Sequence, residues 1–305
     1  MGAARGHDAA RRRMRRRAVL AAGLAMALPL PAAAANRYAQ GLLWRVDKSG
    51  IEPSHLFGTL HAGDPRLEPL PPPVHNAFSR SRALMLEYVA DQYGRERFLE
   101  AALYLDGHTL VQDIGSEHFE RAVEAMRPVG LPRDVVGKLK PWGVFLNLRI
   151  SRQPTGTVPP DAQLFALARK RRLPVSQIEN VEEQVFTFDE MSMASQVALL
   201  RHYREHGAEL DQLAERTLRA YLARDLAGIR SAQQDYAHRY PEIAPHHAEL
   251  MKRVVLDRSV VMAFRMQREL RRGRAFVAVG ALHLYGDRGV LALLGEDGYR
   301  AERVY

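Results

Sequence analysis

Two phrases bracket this chain: "PSHLFGTLH" at residues 53–61 and "FVAVGALH" at residues 276–283. Each is an apolar run that meets a glycine and reaches a histidine three residues later. Apolar runs of this length bounded by turn residues read as buried strands. "LLWRVDKSG" (42–50) precedes the first phrase and makes a strand, a turn and a hairpin partner. "RALMLEYV" (82–89) and "LPVSQIEN" (173–180) supply two more strand patterns, and "GVLALLGEDGYRAERVY" (289–305) a closing helix and strand. Glycine lets the backbone turn where a side chain would clash. In open α/β sheets ligands bind beyond the carboxyl ends of strands. The two phrases are therefore expected to deliver His61 and His283 to one rim of one sheet.

Between the strands the periodicity is helical. "DQYGRERFLEAALYL" begins a helix, "LPRDVVGKLKPWGVFLNLRI" reads as two helices broken at Pro141, and "DAQLFALARKRR" as another. Residues 181 to about 226 are predicted helical, with "LDQLAERTLRAYLARDL" the clearest amphipathic part. "YPEIAPHH" is read as a break, its "APHH" as a surface loop. A long helix then runs from 248 to Gly273, the natural place for a C-cap glycine. The expected fold is α/β, a mixed central sheet flanked by helices, with a helical insertion between the two Gly-x-x-His strands.

Residues 1–35 stand apart. "RRRMRRR" (11–17), the apolar run "AVLAAGLAMALPLP" and "AAAAN" have the layout of a secretory signal. The apolar run is too short for a membrane span, which needs about 20 residues. Cleavage is expected after Ala33, Ala34 or Ala35, leaving 36–305 as one domain exported to the periplasm or cell envelope, with no stable membrane span. Seven Arg against one Asp put six of the nine excess positive charges in residues 1–35, leaving three for the rest. That balance does not suit a nucleic-acid binder, which needs a concentrated basic face. The chain has no cysteine, so thiol nucleophiles and thiolate zinc sites are excluded. No G-x-S-x-G elbow, P-loop or Rossmann fingerprint occurs.

Two imidazoles on one rim suit metal ligation or acid/base work. Glu87 and Glu179 each lie inside an apolar strand pattern, where a carboxylate is costly unless paired or bound to a cation. "HYREH" (202–206) matches the inverted zincin pattern, with His202 and His206 on one helical face and Glu205 as base. Its flanking arginines suit a solvated helix face instead, and short motifs match by chance.

Taken together, "LFGTLH", "LMLEYV", "KPW", "DAQLFALARKRRLPVSQIENVEEQ", "LDRSVVMA" and "FVAVGALHLYGDRGVLALLGEDGYRAERV" resemble the TraB/GumN/PrgY family, related to the Tiki metalloproteases. The resemblance covers nearly all of the chain after residue 41. It implies that His61, Glu87 and His283 are active-site residues, and that a divalent metal ion (Mn or Co, with Zn also suited to the donors) is required. Glu179 and Gln184 match the family's E-x-x-x-x-Q phrase, and Arg258 its late helix arginine. Many members carry asparagine where this chain has Ser259. The resulting expectation is an exported metal-dependent hydrolase, a peptidase acting on peptides or proteins. His61 and His283 hold the metal, Glu87 is ligand or general base, and Glu179 is a further candidate ligand. Arg258 either steadies an oxyanion or pairs with Glu179. The rivals are a peptide- or signal-sequestering protein on the same fold and a non-peptide hydrolase such as an esterase.

Overall fold

The computed structural model describes residues 37–89, 91–150 and 156–305, and of Ile150 the backbone alone. The signal reading of residues 1–35 lies outside them. Six strands form one mixed sheet: β1 (Leu43–Lys48), β2 (Ile51–Thr59), β3 (Ala83–Leu86), β4 (Val175–Gln177), β5 (Ala275–Gly280) and β6 (Arg300–Arg303). Their order is β4-β3-β5-β2-β1-β6. β2, β5, β3 and β4 run parallel to one another, and β1 is antiparallel to both β2 and β6. Parallel strands are buried on both faces and need continuous apolar runs. β3 and most of β5 meet that requirement, every residue of Ala83–Leu86 and Ala275–Val279 being buried.

The β1–β2 hairpin closes through Ser49 and Gly50, with Gly50 at φ 76°. That left-handed angle is one glycine adopts without steric cost. Phe57, Phe78 and Phe276 pack at the centre of the sheet's core, the last two edge to face at 5.4 Å. Gly58 is required by contact rather than by φ. A methyl group there would lie 3.0 Å from the Ala281 Cα and the Leu284 Cδ1. Gly58→Ala is therefore expected to cost about 1–3 kcal/mol by overpacking, read as a lower urea midpoint. An unchanged midpoint would show that this approach is not tight.

The parallel arrangement brings the carboxyl ends of β2, β3, β4 and β5 to one rim. Four expectations need correction. Residues 181–226 are not one helix but Val181–Asp189, Met193–Glu205 and Gly207–Leu222, separated by short breaks. "APHH" is not a surface loop: helix Ala244–Met251 starts there with proline in its first turn, where no donor is lost, and His247 is buried. β3 ends at Leu86, before Glu87. The predicted long helix to Gly273 is interrupted: Ala244–Met251 passes through a π-helical segment, Lys252–Asp257, before Arg258–Leu270. As expected, helices break before Pro141, which opens Pro141–Ile150.

A second apolar cluster lies among the helices of the insertion, around Trp142, Phe145, Leu199 and Leu200. Trp142 stacks on Phe188 at 5.7 Å and donates its ring N–H to Asp189. A buried tryptophan needs such a partner, so this residue is a packing anchor. No helix among the described residues is long and apolar enough to cross a membrane.

Candidate active site

Glu87 is the hub. It stands just past β3, and its side chain is 7% exposed. Its Oε2 accepts from Arg258 Nη2 at 2.9 Å and lies 3.5 Å from His61 Nε2. Its Oε1 accepts the backbone N–H of Gly280 and lies 3.5 Å from His283 Nε2. The two histidines, 222 positions apart in sequence, thus meet at one carboxylate. Gly280 forms the floor between them. A Cβ on it would be 3.1 Å from Glu87 Oε1, 3.4 Å from His283 Cδ2 and 3.6 Å from His61 Nε2. Those two ring atoms are therefore within about 7 Å of each other.

The imidazoles differ in setting. His283 sits in the one-turn helix Ala281–Leu284 that follows β5, and its side chain is 5% exposed. Burial pushes its pKa down to about 4, against the pull of Glu87. Ser259 Oγ donates its single proton to the Val255 carbonyl at 2.7 Å and lies 2.9 Å from His283 Nδ1. The hydroxyl therefore accepts there, and Nδ1 carries the ring proton. In the neutral ring that leaves a lone pair on Nε2, aimed at Glu87. His61 is the entrance residue, its side chain 55% exposed. Crowding by the protein opposes its charge, but Asp161 and Glu87 on either side outweigh this and raise its pKa to about 10. Asp161 Oδ1 is 3.4 Å from His61 Nδ1, longer than an ordinary N–H···O bond. Burial likewise opposes charge on Glu87, yet the charged His61 and Arg258 hold its carboxyl well below the usual range.

Arg258 is a strut. Nε and Nη2 donate to Glu179, Nη2 also reaches Glu87, and Nη1 donates to the Val254 carbonyl at 3.1 Å. With its donors so engaged, it is aimed at carboxylates rather than at a substrate oxygen. Glu179 lies behind it, accepting also from Gln184 Nε2 at 2.5 Å. Its oxygens are taken up by Arg258 and Gln184, so it stands in the layer behind Glu87 rather than among the imidazoles. Burial raises the Glu179 pKa although Arg258 opposes it. The π segment matters here. π turns inside α-helices occur often at functional sites. This one directly precedes Arg258 and Ser259, and its Val254 and Val255 carbonyls accept those two side chains.

The structure brings His61, Glu87, His283, Glu179, Gln184 and Arg258, all singled out in the sequence, into one cluster. Sequence reading missed Asp161, and it left Ser259 without a role that the structure supplies. Asp161 opens helix Pro160–Arg171, where the helix dipole favours an acid in any case, so its position carried no distinctive signal.

The HYREH residues form a different cluster, and not on a solvated face. His202 is buried and its Nε2 is 2.7 Å from the Tyr236 hydroxyl. His206 lies beyond the end of Met193–Glu205, its ring 4.7 Å from that of Tyr240. Replacing His202 and His206 by alanine is expected to lower stability by about 1–3 kcal/mol, through the lost buried bond, and to leave turnover near normal. Lost turnover in a folded double variant would move the chemistry to this cluster.

Among the described residues no group of three or more His, Asp or Glu side chains is spaced to hold a metal ion as it stands. Residues 42–303 match the model of the TraB/PrgY/gumN family. That match spans most of the chain, and the chain belongs to this family. No curated protein and no solved structure matched it.

Proposed function

As a TraB/PrgY/gumN family protein, this chain is, we propose, an exported metal-dependent hydrolase that cleaves peptides or proteins at the His61–Glu87–His283 site. One observation supports the metal above the others. With the Nδ1 proton turned to Ser259, the His283 Nε2 lone pair and Glu87 Oε1 are both acceptors, and they face each other at 3.5 Å. Two buried acceptors in opposition are costly, and a cation relieves the opposition. The bare Gly280 backbone leaves space at the same point. Two imidazoles and a carboxylate suit zinc, manganese, cobalt or iron. His61, His283 and Glu87 would hold the ion, Ser259 orienting His283 and Asp161 orienting His61 as outer partners do.

When bound, the metal polarises the scissile carbonyl and lowers the pKa of water to about 7. The chain's own residues do the rest. Glu87 holds negative charge at the reacting centre. Arg258 and the Gly280 N–H keep its two oxygens turned to the two imidazoles. His61, the exposed member, meets the substrate first. Glu179 holds Arg258 rather than the metal.

Metal analysis of protein purified without chelator, with turnover of a mixed peptide pool, tests the reading. The expected result is about one equivalent of Mn, Co or Zn, and turnover that chelator removes and metal restores. Metal-free protein that binds peptides without cleaving them would replace it with the sequestering alternative, and cleavage of simple esters alone with an esterase. Export is tested by the N-terminus of the envelope form, expected near Asn36. A start at Met1 in soluble periplasmic protein would contradict it.

A further inference from the structure

A cavity of about 290 Å³ opens beside His61. Its floor is the chain leaving β2, Leu60 to Asp64, and its walls come from the helical insertion. Helix Gly207–Leu222 turns Leu210, Leu213, Ala214, Thr217 and Leu218 toward it. Steps of three and four place these residues on one helical face. Such a stripe normally packs into a core. Here Leu218 does so, whereas Leu210 and Leu213 are only half-buried and Ala214 is exposed. Leu210 packs in part against the helical cluster, while Leu213 and Ala214 line the cavity. Tyr203, buried, forms part of the wall.

The charges at the mouth are compensated. Arg66 is held on two sides, by Asp64 at 2.9 and 3.0 Å and by Glu215 at 2.7 and 3.0 Å. Arg149 and Asp211, also on the lining, carry opposite signs. An ionic side chain entering the cavity would lose water and meet no net charge of opposite sign, which is unfavourable. The volume lies just below the about 300–1,000 Å³ typical of small-ligand pockets, enough for a bulky side chain with its adjoining backbone.

We propose that this cavity selects substrate, taking an uncharged aliphatic or aromatic side chain beside the bond presented to His61. The inference rests on the peptide-hydrolase reading for its occupant, and on the apolar stripe for its selectivity. On this view the helical insertion is the specificity element, and the sheet rim the chemical one.

The test uses full-length mature protein and two capped hexapeptides that differ at one position, leucine or aspartate. Binding by calorimetry is measured alongside turnover, so that a failure of hydrolysis is seen separately from a failure of selectivity. The leucine peptide is expected to bind at least about tenfold more tightly, the scale of discrimination an apolar pocket supplies. Ala214→Phe fills the cavity and should bring the ratio toward one. Leu213→Arg should raise affinity for the aspartate peptide above that of the wild type, a gain that misfolding cannot mimic. Equal binding of both peptides by the wild type would overturn the proposal. So would an unchanged ratio in Ala214→Phe, or no gain for the aspartate peptide in Leu213→Arg. Selective binding with no turnover would keep the pocket and reject the hydrolase.

Discussion

Glu87→Gln is expected to lower kcat/KM by about 10²–10⁴-fold, the range for loss of an acid/base group, while the protein stays folded. Glutamine has nearly the same shape, but its single oxygen can accept from Arg258 or from the Gly280 N–H and not from both. What disappears is the negative charge at the meeting point of the two imidazoles. Metal content measured on the same sample divides the roles: metal retained with turnover lost marks Glu87 as the base, and metal lost marks it as a ligand. His61→Ala and His283→Ala should each remove metal and turnover together. Wild-type turnover in Glu87→Gln would remove this carboxylate from the chemistry.

Arg258→Ala is expected to have the largest effect on stability. It leaves Glu87 and Glu179, both buried, without their shared cation. Removing one partner of a buried ion pair costs about 3–5 kcal/mol, because the remaining charge stays buried and uncompensated. Urea denaturation should show this as a lower midpoint. Arg258→Lys should recover only part of the loss, since one ammonium cannot span both carboxylates and the Val254 carbonyl as the planar guanidinium does. A cost below about 1 kcal/mol for Arg258→Ala would mean that Gln184, Gly280 and the histidines already satisfy the two carboxylates.

Much of the site was visible before folding because it breaks local rules. Glu87 directly follows an apolar strand and Glu179 stands next to the buried Ile178, and a carboxylate in such a setting demands a partner. The histidines repeat one spacing after two glycines. HYREH shows the opposite case. Its flanking arginines suggested a solvated face, yet the tyrosines that bury His202 come from the second helix further along the chain, Leu226–Arg239, and just beyond it. Burial of a helical face depends on what another element brings to it, and no local window contains that.

What the sequence alone determined is the alternation of elements, hence an α/β sheet, and which residue types stand at the strand ends. Side-chain periodicity and glycine placement are local properties, so they can be read without coordinates. Only the tertiary structure decided the roles. The parallel pairing of β3, β5 and β2 set Glu87 between His61 and His283. The π segment turned Ser259 to His283 Nδ1 and Arg258 to the carboxylates. Helix Pro160–Arg171 brought Asp161 to His61, and the insertion left an apolar face open beside it. Each of these depends on contacts between residues tens to hundreds of positions apart, and their distances are fixed by packing, which no periodicity encodes.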